Sequence, residues 1–312
     1  MKIVILGAGA LGSALGGVLA EAGHDVWLIT RNAAHVQAIR ANGLMLREAG
    51  VDRRVRLFAS TQAQDAGVAD GVIVLVKSAQ TLAAAQAAQS LLAPHTWVMS
   101  LQNGLGHEDI LSEALGAAHV LAGKTYCGGQ MIAPGHVLCG VKGKDTHIGE
   151  LPTHNNGAIS DRVRRIAQAF NAAGIQTFQS DNIEGTIWDK LFINVATGAL
   201  SGITRLPYGL LYQVPALAAT AEMAVAEAMA VARAKGVRFA LQQPLDAWHK
   251  AGAGLPFEFK ASMLQTLERG MPTEIDFING AVVRLGAQWG VATPVNSALV
   301  ACIQGIEKGL PS

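Results

Sequence analysis

An α/β domain followed by an all-helical domain is the fold class this sequence predicts, and three observations predict it. A short apolar strand, Lys2 to Leu6, runs directly into Gly7-Ala8-Gly9-Ala10-Leu11-Gly12. Two further apolar runs, Asp70 to Val76 and Thr96 to Leu101, read as parallel strands buried on both faces. After about Asp181 strand-like runs cease and helical spacing takes over. Domains of residues 1–180 and 181–312 are therefore expected.

Between the strands the order of elements follows from the same patterns. Ser13 to Glu21 reads as a helix and Asp25 to Thr30 as the second strand. From Leu121 to Glu150 short glycine-punctuated strands, including Gly135 to Leu138 and His147 to Gly149, read as the antiparallel edge of a mixed sheet. Asn156 to Ala173 is expected as a helix and Ile175 to Gln179 as a last strand. Ile183 to Thr197, Leu217 to Lys235 and Ile275 to Trp289 carry helical periodicity, with shorter helices at Leu245 to Lys250 and Ala261 to Leu267. Pro207, Pro215, Pro256 and Pro272 punctuate them.

A strand, a GxGxxG turn and a helix are the parts of a Rossmann-type dinucleotide-binding unit. Gly7 permits the tight exit from the strand, Gly9 lets backbone approach a pyrophosphate, and Gly12 lets the helix pack on the sheet. Ala8, Ala10 and Leu11 complete the loop, and the helix start offers free N–H groups to an anion. The alternative is a merely structural glycine turn, since 35 of the 312 residues are glycine. At the end of the second strand an NAD enzyme usually presents an acid to the ribose, whereas a 2′-phosphate calls for a cation. Here Thr30-Arg31-Asn32 offers Arg31, whose planar fork suits phosphate, so NADPH/NADP+ is the expected cofactor. An exposed loop arginine without a ligand is the other reading.

Composition narrows the class. Lys and Arg total 24 against 23 for Asp and Glu, which gives no basic field for nucleic acid. Cys127, Cys139 and Cys302 are spaced neither as a metal cluster nor as a disulfide framework, so no metal is expected and a reducing compartment is the simpler inference. The first strand is too short and too soon broken by glycines to read as a secretion signal. Polar residues interrupt the Ala-rich stretches too often for a bilayer span. A soluble cytoplasmic protein with no membrane partner is the expectation, and a homodimer is compatible with it.

In the second domain, Lys190 and Asn194 lie four apart on one helical face. Ile187, Trp188, Leu191, Phe192, Ile193 and Val195 leave that helix little solvent-facing surface, and a partly buried lysine needs a reason. Farther on, Thr273 is placed to cap a helix and Glu274 to sit in its first turn. Capping alone accounts for Thr273 without any chemistry, and Glu274 reads either as a favourable first-turn acid or as a catalytic one.

The GAGALG opening, Lys77 after Val-Ile-Val-Leu-Val, Gln102-Asn103-Gly104, Lys190 with Asn194, Ser262-Met263-Leu264-Gln265, and Thr273-Glu274-Ile275-Asp276 before Asn279-Gly280 occur in one order and spacing. In this the chain closely resembles the ketopantoate reductases (2-dehydropantoate 2-reductases) over nearly its whole length. The resemblance implies NADPH-dependent reduction of 2-dehydropantoate to pantoate, a step of pantothenate and coenzyme A biosynthesis, with Lys190 as proton donor. It also implies that Glu274 orients the lysine or binds the product hydroxyl. Asn194 and Ser262 would bind the small 2-keto acid substrate, and Asn103, Lys77 and Glu274 would serve substrate and cofactor. Two departures stand out: the third position of the family's K-x-x-x-N-x-x-x-N row falls on Gly198, and Thr266 replaces the acid of SMLQD. They leave open a reductase of another branched or bulkier 2-keto acid. A sensor that binds nucleotide without catalysis is the competing class; retention of Lys190, Asn194, Ser262 and Glu274 argues against it.

Overall fold

The computed structural model describes residues 1–310. The chain divides into two compact units, one of residues 1–102 and 107–183, the other of residues 103–106 and 184–312. The strands are β1 (Lys2–Leu6), β2 (Asp25–Ile29), β3 (Leu44–Glu48), β4 (Val51–Val55), β5 (Phe58–Ser60), β6 (Gly71–Val74), β7 (Trp97–Ser100), β8 (Val120–Thr125), β9 (Gly128–Ala133), β10 (His136–Gly140), β11 (Thr146–Glu150) and β12 (Thr177–Ser180). The first unit also holds helices α1 (Ala10–Glu21), α2 (Ala33–Asn42), α3 (Thr81–Ala88), α4 (His107–Leu115) and α5 (Asp161–Ala172).

An eight-stranded sheet of order β12-β11-β8-β7-β6-β1-β2-β5 forms the centre of this unit. All its neighbours run parallel except β8 and β11, which are antiparallel. Alternation along β1 shows why its sequence is continuously apolar: Ile3 and Ile5 enter one core, Val4 and Leu6 the core on the opposite face. Ile73 and Met99 join the first core, and Val72, Val74 and Val98 the second.

Part of the edge expected from Leu121 to Glu150 belongs elsewhere. Residues His147 to Gly149 do pair antiparallel with β8, but β10 lies in a second, four-stranded sheet of order β4-β3-β10-β9. Its pairing of β10 with β3 joins segments some ninety residues apart, which no local pattern announces. Helix α1 is thin enough to pack against both sheets. A Cβ at Gly16 would stand 2.5 Å from Leu28 of the large sheet, and one at Gly17 would stand 2.7 Å from Leu46 of the small one. Helix α5 starts at Asp161 instead of Asn156, because Ser160 accepts the Val163 N–H and caps it.

The helical unit comprises α6 (Ile183–Thr204), α7 (Tyr208–Leu211), α8 (Pro215–Ala234), α9 (Pro244–Gly252), α10 (Ser262–Glu268), α11 (Asn279–Trp289) and α12 (Pro294–Lys308). Trp188, Leu191, Phe192 and Val195 of α6 lie in a core shared with Val225, Met229, Val282 and Ile303. By length and composition α8 is apolar enough to cross a membrane, contrary to the sequence reading of the Ala-rich stretches. Its residues Ala221, Ala224, Val225, Ala228 and Met229 are buried in the helical core. The helix expected from Ile275 to Trp289 is broken: a 3-10 turn, Ile275–Phe277, precedes α11, and Ile278 takes φ −106°, ψ −95° between them. Glu274 therefore precedes a short turn instead of sitting in a first helical turn, and Thr273 Oγ1 accepts the Ile275 N–H at 3.2 Å.

Candidate functional site

In the α/β unit three predicted site segments follow three adjacent strands at their carboxyl ends. The glycine loop follows β1, Arg31 follows β2 and Lys77 lies beyond β6, the strand order being β6-β1-β2. That edge is where open α/β sheets bind ligands.

Each motif glycine has its own surroundings. Gly7 takes φ +98°, and a Cβ there would lie 2.4 Å from the Val76 backbone nitrogen; at Gly12 it would lie 2.6 Å from Gly7 O. Both are required by the protein's own packing. Gly9 is exposed, and a Cβ on it would meet nothing within 4 Å. No neighbour within the protein demands glycine at that position, so the open edge fits a ligand that approaches the backbone closely. The first α-helical bond beyond it runs from Ser13 N to Gly9 O at 2.9 Å, which leaves the amides of Ala10, Leu11 and Gly12 as the orphan donors of the helix start. No acidic side chain occupies that first turn. The cradle therefore suits a dinucleotide pyrophosphate.

Arg31 is exposed on the turn before α2, where Asn32 Oδ1 accepts the His35 N–H at 3.1 Å as the helix cap. Lys77 is exposed too. Its loop is tied down by Gln102, whose Nε2 donates to Val76 O at 2.8 Å and to Thr81 Oγ1 at 3.0 Å. The sequence gives Gln102 no role beyond its place in the Gln102-Asn103-Gly104 motif; its anchoring of a loop twenty-six residues earlier has no sequence signal.

The helical unit gathers side chains from three distant segments. Lys190 Nζ donates to Asn103 Oδ1 at 2.8 Å, and Asn103 Nδ2 donates to Glu274 Oε2 at 3.3 Å. Lysine can only donate and an ionised carboxylate can only accept, so these contacts select one orientation of the amide. The Asn103–Gly106 segment groups with this unit although the sequence reading put it in the first domain. Its dock is the Glu274–Phe277 turn: Leu105 N donates to Phe277 O at 2.8 Å, and Gly104, at φ +101°, would place a Cβ 2.2 Å from that same oxygen. Lys190 itself is oriented by α6, whose Asp189 accepts the backbone N–H groups of Ala240 and Leu241.

Asn194, half-buried, continues the Lys190 face one turn on, and Gly198 is buried a further turn along α6. A Cβ on Gly198 would have only the Met263 terminal methyl nearby, at 3.6 Å, so the helix itself does not require glycine there. Ser262 is exposed at the start of α10, the helix that supplies Met263. The structure thus joins Lys190 and Glu274 through Asn103, with Asn194 and Gly198 at successive turns along α6 and Ser262 next in sequence to Met263, whose terminal methyl lies nearest a Cβ on Gly198.

Comparison with known proteins agrees along the whole chain. The family model described as Ketopantoate reductase PanE/ApbA matches residues 3–153, and that for the PanE/ApbA C terminal matches residues 182–307. The chain is 35% identical to the 2-dehydropantoate 2-reductase of Pyrococcus abyssi, with 98% of each chain covered, and 32% identical to that of Archaeoglobus fulgidus, with 99% covered in each. A crystal structure of a PanE/ApbA family ketopantoate reductase from Ralstonia eutropha JMP134 superposes with TM-score 0.88 at 38% identity, covering 99% of both chains. D-mandelate dehydrogenase, solved with NADH and anilino(oxo)acetate, gives TM-score 0.90 at 29% identity, also covering 99% of both.

Proposed function

The chain belongs to the ketopantoate reductase family, and we propose that it reduces 2-dehydropantoate to pantoate with NADPH, a step of pantothenate biosynthesis. The observation that carries this reading is the contact of Lys190 and Glu274 with a single amide, Asn103. It holds a proton donor and a carboxylate at a defined separation, as carbonyl reduction needs.

When bound, the nicotinamide supplies the hydride that adds to the keto carbon. As the carbonyl π pair moves onto oxygen, negative charge develops there, and the Lys190 ammonium stabilises it before passing its proton to that oxygen. The neutral amine then regains a proton from water. Asn103 aims one of the three lysine N–H bonds, which orients the rest of the ammonium. Glu274 orients the lysine through Asn103 or accepts a bond from the product hydroxyl. Asn194 and Ser262 hold the hydroxyl and carboxylate ends of the substrate, and Lys77 adds positive field beside substrate carboxylate or cofactor. The backbone from Gly7 to Gly12 takes the pyrophosphate, Arg31 takes the 2′-phosphate, and Asn103 and Glu274 also face the cofactor in this reading. The enzyme would work as a soluble protein of the cytoplasm.

A second reading draws on Gly198. The family row ends here without an amide, and the space over Gly198 would admit a larger side group, in keeping with a bulkier 2-keto acid. Mixing the protein with NADPH and a panel of 2-keto acids, and following loss of NADPH absorbance, tests both. Ketopantoate should give the highest kcat/KM; preference for an aryl keto acid establishes the second reading, and no turnover of any keto acid overturns both.

A further inference from the structure

His35 is fully buried in the α/β unit, and both of its ring nitrogens are engaged. The backbone N–H of Gly135, in the turn between β9 and β10, donates to Nδ1 at 2.9 Å. An amide N–H can only donate, so Nδ1 carries no proton, and the neutral ring has its hydrogen on Nε2. Nε2 lies 3.0 Å from Ser13 Oγ, and this bond therefore runs from the ring to the hydroxyl. The serine hydrogen is left to point at Ala8 O, 3.4 Å away. Burial lowers the affinity of the ring for a second proton, in agreement with the neutral form.

The far end of this chain is the glycine loop. Ala8 O belongs to the peptide plane whose other end is the Gly9 N–H, and that N–H donates to Gly7 O at 2.7 Å. The Ala8–Gly9 plane is rigid, so bonds at both ends fix the tilt of backbone at Gly9, the one motif glycine whose Cβ direction is open. The near end of the chain is the Arg31 turn. His35 is the third residue of α2, and its own N–H is capped by Asn32, which follows Arg31 directly.

We propose that His35 is a positioning residue of the dinucleotide site, holding the glycine loop and the Arg31 turn in register through a one-directional chain from Gly135 N–H to the ring, to Ser13, to Ala8 O. The inference rests on the cofactor reading above and adds to it the device that spaces the pyrophosphate and 2′-phosphate ends. An apolar side chain would fill the same volume without the cost of burying polar groups. The ring accepts on its Gly135 side and donates on its Ser13 side, which no apolar side chain can do.

Three variants separate positioning from packing, each measured by NADPH titration and by thermal melting. Ser13→Ala cuts the chain beyond an intact His35, and His35→Asn keeps an acceptor toward Gly135 while losing Ser13. Both should raise the NADPH Kd about tenfold while the protein remains folded at the assay temperature. His35→Gln returns a donor toward Ser13 and should recover most of that affinity even with a lowered melting temperature. The inference is overturned if Ser13→Ala binds NADPH like the unmodified protein, or if the Gln variant binds no better than the Asn variant. Nitrogen NMR of the imidazole gives a readout free of cofactor: the Nε2–H tautomer is expected, and Nδ1–H overturns the chain's direction. Failure of the unmodified protein to bind any dinucleotide overturns the cofactor reading, and this inference with it.

Discussion

The two units of this chain would bind their ligands with different parts of the polypeptide. In the α/β unit the groups offered to a ligand are mostly backbone amides, at a loop where strand exit sets Gly7, helix packing sets Gly12, and Gly9 stays open. In the helical unit they are side chains, from Asn103, Lys190 and Glu274, separated by 87 and 171 residues along the sequence. A backbone site is written in a contiguous motif and is legible as such. A side-chain site exists only once distant segments have packed.

Substitutions sharpen the contrast, and the largest effect is expected where the α/β unit relies on a buried charge. Glu150 is fully buried and accepts bonds from Arg162 at 2.6 and 2.8 Å and from Ser160. Burial opposes its ionisation, but the hydrogen bonds from Arg162 and Ser160, with the charges of Arg162 and His154, hold its pKa below the usual value. Arg162→Ala should cost about 3 kcal/mol of stability, the lower end of the range for a broken buried pair because Arg162 is partly exposed. Denaturant titration measures this. A folded-state pKa below the unfolded one means that Glu150 contributes stability above the ordinary carboxylate range. That contribution is lost as pH falls through the depressed value. The unmodified protein should therefore lose stability on acidification more than the Arg162→Ala variant does, and equal acid sensitivity would remove the pair from the account.

Next in size is the helical site. Lys190→Ala should lower kcat by about 10²-fold or more with NADPH affinity nearly unchanged, because the proposed cofactor contacts are mainly in the other unit. Single-turnover kinetics beside equilibrium binding make the test. A variant with normal turnover takes Lys190 out of the mechanism, and one that loses cofactor affinity instead erases the division of labour between units.

Arg31→Ala should weaken NADPH binding by about 1 to 3 kcal/mol, the scale of a bond to a charged group, and leave NADH binding as it was. Fluorescence titration of both cofactors decides. Equal NADPH and NADH affinities in the unmodified protein would show that Arg31 does not read a 2′-phosphate.

The smallest expected change is at Gly198. Gly198→Asn should raise the ratio of kcat/KM for ketopantoate over an aryl keto acid by about 1 kcal/mol, the low end for supplying a buried hydrogen bond. Asn also has the better helix propensity, so higher stability alone is no support. An unchanged ratio means that position 198 does not face the substrate.

The sequence alone determined the elements whose causes are local. The α/β order, the glycine loop with Arg31 twenty-four residues after Gly7, the double-faced burial of β6 and β7, and the Lys190–Asn194 face of α6 all follow from composition and period. Their physical basis is short-range: backbone sterics and apolar periodicity act within a few residues. Only the tertiary structure decided the rest. It paired β10 with β3 in a separate sheet, broke the expected Ile275–Trp289 helix at Ile278, and grouped the Asn103 loop with the helical unit. It also oriented the Asn103 amide between a lysine and a carboxylate, and joined His35 to Ser13 and Gly135. Each of these rests on hydrogen bonds or packing between groups far apart in sequence, whose partners are chosen by the folded core and not by neighbouring residues.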